Sequence, residues 1–284
     1  MYKLKKSIIL YLSKNRLTWY IAKFLLQYPH KLFETLLFYH NEEHLKFTLK
    51  NETKEIISEI LEKLEVASGP FKGLKYPSLN SYGSSLLPKL LGTYERELSD
   101  VINVICTKKY SSIVDIGCAE GYYANGFANK MNIPVYAFDI SSTARKLCKE
   151  ISLLNKTNLK IGGFCDLNTL CSLDLGEKSL IMMDCEGYEL NLIDMNFVKK
   201  LGRHDLLIEL HNNVNIEIEQ KVIGVLSQTY YIQQINSVDD IQKAYNYKIE
   251  EIPELKLLSL NEKLKCFAEY RSFIMTWIYA TTKN

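Results

Sequence analysis

Two clusters of acidic and small residues stand where side chains could do chemistry. The segment Val114–Ala128, "VDIGCAEGYYANGFA", sets Asp115, Gly117, Ala119 and Gly121 at alternate positions directly after an apolar run. Small residues there keep the backbone clear, so that a ligand can lie against the turn beside the carboxylate. The second cluster is "LIMMDCEGYELNLID" followed by "DLLIELH", which supplies Asp184, Glu186, Glu209 and His211 at the ends of two further apolar runs. Carboxylates and an imidazole so placed can take a proton from a hydroxyl nucleophile, which is weak while it keeps that proton.

The first cluster is not a dinucleotide site. A G-x-G-x-x-G turn counted from Gly117 needs its third small residue at 122, and Tyr122 stands there. An acid at the end of the strand repels phosphate and suits a cationic ligand. Two more acids follow in order. Asp139 ends the apolar run "VYAFDIS", 22 residues past Gly117, where a carboxylate can accept hydrogen bonds from ribose hydroxyls. Asp166 follows "LKIGGFC", with Ile140 and Leu167 as apolar neighbours of the pair. Acids at strand ends also cap helices, so each has a structural reading beside the chemical one.

Strands must bring these residues to one edge. From Ser99 onward, strand-length runs ("SSIVDIG", "IPVYAFDIS", "LKIGGFCDL", "SLIMMDCEGYE", "DLLIELH", "YYIQQIN", "FIMTWIYATT") alternate with helical segments. That alternation predicts an α/β fold with a mainly parallel seven-stranded sheet and helices on both faces. Ligands of such sheets sit at the carboxyl ends of the strands. Upstream, residues 1–67 read as a helical region, interrupted at Pro29. Residues 68–98 hold Gly69, Gly73, Gly83, Gly92, Pro70, Pro77 and Pro88 and read as a loop or lid. The main domain is then 99–284. Gly92, Tyr94 and Glu95 lie just before its first helix and are candidates to touch a ligand.

"VDIGCAEGYY" resembles the first motif of the class I, Rossmann-like methyltransferases that use S-adenosylmethionine, with Ala119 replacing the commoner middle glycine. The pair "DCEGYE" and "DLLIELH" resembles the FkbM-type family of that class, over roughly Ser111 to Asn213. The resemblance implies that Asp115 supports the aminoacyl end of the methyl donor and that Gly117, Ala119, Gly121 and Tyr122 lie under it. It implies that Asp139 accepts from the ribose hydroxyls, that Asp166 holds the adenine amino group with Ile140 and Leu167 as apolar neighbours, and that Asp184 also touches the donor. It further implies methylation of a hydroxyl, often on a sugar. An N-methyltransferase often shows an Asn- or Asp-Pro-Pro-aromatic motif after the fourth strand, where this chain reads "DCEGYE".

The base is His211 or Asp184. An unperturbed imidazole is largely neutral at physiological pH, which favours His211, with Asp184 orienting it or taking the proton itself. Glu186 and Glu209 complete the catalytic set. Asp184, Glu209 and His211 could instead hold a divalent cation, which is not expected because their spacing is not diagnostic. Glu189 reads as the acid that opens the next helix. Glu209 and His211 alternate on a strand and could be a satisfied polar pair. His30, His40, His44 and His204 receive no role.

Composition narrows the partners. A net charge of +2 and 24% charged residues give no case for nucleic acid. Seven cysteines without a C-x-x-C pair point to a reducing, cytoplasmic setting. Residues 1–33 carry Lys3, Lys5, Lys6, Lys14, Arg16, Lys23 and Lys31 and no acid. They suit peripheral contact with anionic lipid at the inner membrane face, or a helix packed on its own domain or on a second subunit. The expected acceptor is a sugar or glycoconjugate, lipid-linked if the membrane reading holds. The competing readings are a non-catalytic donor-binding or scaffold protein, and a methyltransferase of a non-carbohydrate small molecule.

Overall fold

In a computed structural model of the chain, residues 55–283 are described. They belong to one unit that begins at Lys54. The expectations for the helical segment before that point, including the break at Pro29 and the basic stretch 1–33, lie outside the described residues.

Seven strands form one sheet: β1 Ser112–Ile116, β2 Val135–Phe138, β3 Leu159–Gly162, β4 Ser179–Met183, β5 Asp205–Leu210, β6 Tyr230–Asn236 and β7 Thr276–Thr282. Their order is β3-β2-β1-β4-β5-β7-β6. The first five run parallel, and β7 pairs antiparallel with both β5 and β6. This is the Rossmann-like, mostly parallel sheet that the alternation predicts. β1, β4 and β5 are buried along their whole length, as central strands covered on both faces must be. On one face Val114, Ile116, Ile181, Met183, Leu206 and Ile208 pack against Phe197, Leu201, Ile218 and Val222 from the helices Met195–Leu201 and Glu217–Leu226. The helix Tyr122–Met131 covers the other face, its Tyr123 ring 6.2 Å from Trp277 of β7.

Side chains alternate along a strand. Asp115 in β1 is level with Met182 in β4, and Met182 with Leu207 in β5. Asp115 and Glu209 thereby share one face of the sheet, and Asp184 and His211 follow directly on the carboxyl ends of β4 and β5.

The unit begins earlier than the change of texture at Ser68 suggests. The helix Glu55–Lys63 belongs to it, with Ile57 and Ile60 buried, and a bridge joins Glu65 to Lys75. The Gly- and Pro-rich stretch is a packed wall. Phe71, Leu74 and Tyr76 are buried, and every residue of the short helix Leu86–Leu91 is buried as well. The segment after β4, which reads as one helix, is two. Asp194 accepts the N–H of Phe197 at 2.8 Å and starts a new helix at Met195. Two helices between β6 and β7, Asp240–Asn246 and Leu260–Phe267, had no counterpart in the sequence reading, although Ser259 and Glu262 form a capping box before the second. Among the described residues no helix is long and apolar enough to cross a membrane.

Candidate active site

β1 ends in the turn that opens the helix at Tyr122. Gly117, Ala119 and Gly121 all have positive φ, at 85°, 46° and 84°. The glycines are required by the chain itself. A Cβ on Gly117 would stand 1.6 Å from the Asp184 carbonyl oxygen, and one on Gly121 would stand 2.5 Å from Cys148 Sγ. Bareness at these positions also serves the chain's own packing. Here it lets the turn pass under the end of β4 and against the helix Ser142–Asn155.

Asp115 is buried, and its Oδ2 has no hydrogen-bond partner. Burial pushes its carboxyl up to about 8, the nearby Asp184 adds to the rise, and the N–H of Ala124 partly opposes it. A buried acid with an open oxygen at a strand end fits an ammonium or other cationic group. Asp139, at the end of β2, accepts the N–H of Ala119 at 3.0 Å through Oδ2 and that of Ser141 at 2.7 Å through Oδ1. It therefore ties the turn to the next helix, with free acceptor capacity left on each oxygen. Ile140 beside it is 80% exposed, an apolar surface with nothing packed over it.

Asp166 caps the helix Leu167–Ser172, accepting the N–H of Thr169 at 2.8 Å and its hydroxyl at 2.7 Å. Those bonds hold its carboxyl below the usual range. Leu167 packs against the core cluster. Tyr122 is buried, edge-on to Tyr94 with centroids 5.6 Å apart.

The second cluster closes around His211. Its Nδ1 lies 3.0 Å from Glu189 Oε1. Its Nε2 faces Asp184 Oδ1 at 3.3 Å, Glu209 Oε2 at 3.5 Å and Glu186 Oε2 at 3.8 Å. Burial alone would lower the imidazole's pKa, but Asp184 and Glu189 outweigh it and raise it to about 11. The neutral imidazole expected from the sequence is thus a cation in this arrangement. Asp184, with a side chain 31% exposed, is the partly accessible carboxylate of the group.

Glu189 opens the helix Glu189–Leu192, as the sequence predicts, and has a second role. It is fully buried, accepts the Cys185 N–H at 3.0 Å, and fixes the imidazole. His204 is structural, its Nδ1 accepting the Ser179 N–H at 3.0 Å with its pKa lowered to about 4 by burial.

Two groups at the site escaped sequence reasoning. Arg271, just before β7, binds Glu209 Oε1 through Nη1 at 2.7 Å, Glu269 Oε2 through Nε at 3.0 Å, and Glu95 through Nη2. Glu95 also accepts the Tyr123 hydroxyl. Its carboxyl is raised to about 7 by burial, against the pull of Arg271. The other is Lys89 of the buried helix Leu86–Leu91, which pairs with buried Glu120 inside the turn. Glu120 also accepts the Ser81 hydroxyl at 2.8 Å, and the Lys89 ammonium sits 4.9 Å over the Tyr94 ring. Both groups join residues far apart in the chain, and no local spacing announces them.

The chain matches no protein-family model and no curated protein. Several solved structures resemble it at low identity. A proposed O-methyltransferase from Klebsiella pneumoniae is 9% identical, over 85% of this chain and 97% of that one, with a TM-score of 0.46. The precorrin-6y C5,15-methyltransferase of Geobacter metallireducens is 13% identical over 64% and 86%, at 0.42. The precorrin 8W decarboxylase of Methanobacterium thermoautotrophicum is 15% identical over 63% and 88%, also at 0.42.

Proposed function

We propose that the protein is an S-adenosylmethionine-dependent methyltransferase acting on a hydroxyl group of a sugar or glycoconjugate. The observation that carries the reading is Asp115, a buried carboxylate with an unpartnered oxygen at the end of β1. A phosphate-bearing cofactor would be repelled there, whereas the aminoacyl end of a sulfonium donor brings a cation to it. Asp139 and exposed Ile140 at the next strand end suit the ribose and the base of the same molecule. When bound, the donor supplies an activated methyl group, so this chain's part is alignment and removal of one proton.

Asp184 takes the role of proton acceptor, being the partly exposed carboxylate beside the turn. His211 orients it from below, held by Glu189. Glu209 is engaged by Arg271 and serves as the link to the wall. Carboxylates are among the groups with which proteins hold polyhydroxyl ligands, and Asp184 and Glu186 are the accessible ones here. The FkbM-type resemblance of "DCEGYE" and "DLLIELH" supports oxygen as the acceptor atom. The basic stretch 1–33 suits an acceptor carried at a membrane, and deleting it should then lower partition onto anionic vesicles.

Calorimetric titration with S-adenosylhomocysteine tests the reading. Saturable binding is expected, weakened at least about tenfold in Asp115→Asn by loss of one charge-assisted bond. Binding of NADH in its place, or of neither, overturns it.

A further inference from the structure

Around His211 the hydrogen-bond pattern is lopsided. Glu189 claims Nδ1 at 3.0 Å, while Nε2 faces Asp184, Glu209 and Glu186 at 3.3, 3.5 and 3.8 Å, short of a good hydrogen bond to any. Glu209 has Arg271 as its counter-ion. Among the described residues, the ion pairs of Asp184 and Glu186 lead to His211 alone. One imidazole nitrogen thus faces two carboxylates that have no other ion-pair partner among the described residues.

The geometry points to a divalent cation site formed by Asp184, Glu186 and His211 Nε2. Their donor atoms lie within 4.8 Å of one another. Ligands about 2.1 Å from a common ion stand about 3.0 to 3.4 Å apart at adjacent positions, by the geometry of such bonds. The His211–Asp184 spacing already meets this. Glu186 needs to close in slightly, and its side chain, 83% exposed, is free to do so.

The support around the ligands is of the kind metal sites use. A histidine that ligates through one nitrogen usually gives the other N–H to a carboxylate, and Glu189 is placed for that. One imidazole with two carboxylates is a donor set of intermediate hardness, suited to first-row divalent ions such as manganese or zinc. Glu209 lies close but is held by Arg271, so Glu186 takes the third position that the sequence reading gave to Glu209. An ion here sits beside the carboxyl edge of β4 and β5 and can take a substrate hydroxyl oxygen as a further ligand. That use rests on the methyltransferase reading, while the binding does not.

The test is titration of the full chain with manganese chloride, followed by loss of the free-ion electron paramagnetic resonance signal and by calorimetry. One saturable site is expected. Glu186→Gln, at an exposed position that the fold does not depend on, should weaken it at least about tenfold, and Asp184→Asn further. Glu177→Gln, an exposed acid ahead of β4, should leave it within about twofold. No saturable site, or equal affinity in all four proteins, overturns the inference. Titration of the same samples with S-adenosylhomocysteine separates the two readings. Nucleoside binding without manganese binding removes the metal site and leaves the function, and the converse removes the function and leaves the site.

Discussion

Glu189 Oε1 and His211 Nδ1 lie 3.0 Å apart, and this contact decides which nitrogen of the imidazole faces Asp184. The acid is fully buried and the ring nearly so. Replacing Glu189 by Gln keeps the shape and removes the charge that orients the ring. Nucleoside binding should stay within about twofold, while methyl transfer falls about 10- to 100-fold, the usual range for losing a partner that orients a functional imidazole. Parallel calorimetry and turnover measurements check the split. Equal loss in both would assign Glu189 to the fold alone.

Asp115 is a cost to the empty protein at neutral pH. Its carboxyl titrates near 8 when folded and near 3.8 when not. Between those values the folded state holds a proton that the unfolded state has released, so stability falls as pH rises through the window. Asp115→Asn should therefore melt higher than wild type, by about 5 °C at pH 9, with the gap closing toward pH 4. A cationic ligand that needs the ionised acid should bind at least about tenfold more tightly at pH 8 than at pH 6, with proton release. Calorimetry in buffers of different ionisation enthalpy reads that proton directly.

The Lys89–Glu120 pair holds the wall onto the turn. Removing one member leaves a buried, uncompensated charge, so Lys89→Met should cost about 3 kcal/mol in urea unfolding. Lys89→Met combined with Glu120→Gln should recover most of that loss, because neither charge is then stranded. Independent, additive losses would count against the pair as a unit.

Two glycines give opposite outcomes. Gly117→Ala puts a methyl group 1.6 Å from the Asp184 carbonyl oxygen at a φ of 85°, and should abolish soluble, folded protein. Gly224→Ala lies in the helix Glu217–Leu226 with no atom within 4 Å of the new methyl group. It should stabilise by about 0.5 to 1 kcal/mol. Circular dichroism melts of both variants distinguish the cases.

What was legible in the chain follows from how far each signal reaches. Strand and helix alternation is local, and so is the turn at Gly117, so the sheet and the positions of Asp115, Asp139 and Asp184 could be read directly. Strand pairing brings Glu209 to the same edge, and His211 follows one residue past the end of β5. Glu189 opens its helix as the sequence predicts, but its contact with His211, 22 positions away, leaves no local trace. Asp166 is the reverse case, where the capping bond to Thr169 is visible and contact with a ligand is not. The Arg271 and Lys89 pairings join residues 176 and 31 positions apart, and their types alone name no partner.

The position of β7 has a consequence for how the protein is made. β6 is synthesised first, yet it pairs only with β7, which slots between it and β5. A growing chain must therefore carry β6 unpaired until the last strand has emerged. The same late segment brings Arg271 to Glu95 and Glu209. Until it docks, those two acids lack their counter-ion. Completion of the candidate site is thus tied to the final, most long-range step of folding, the slowest kind of contact to form. An arrested or clipped chain would hold the turn at Gly117 and most of the sheet without Arg271 in place.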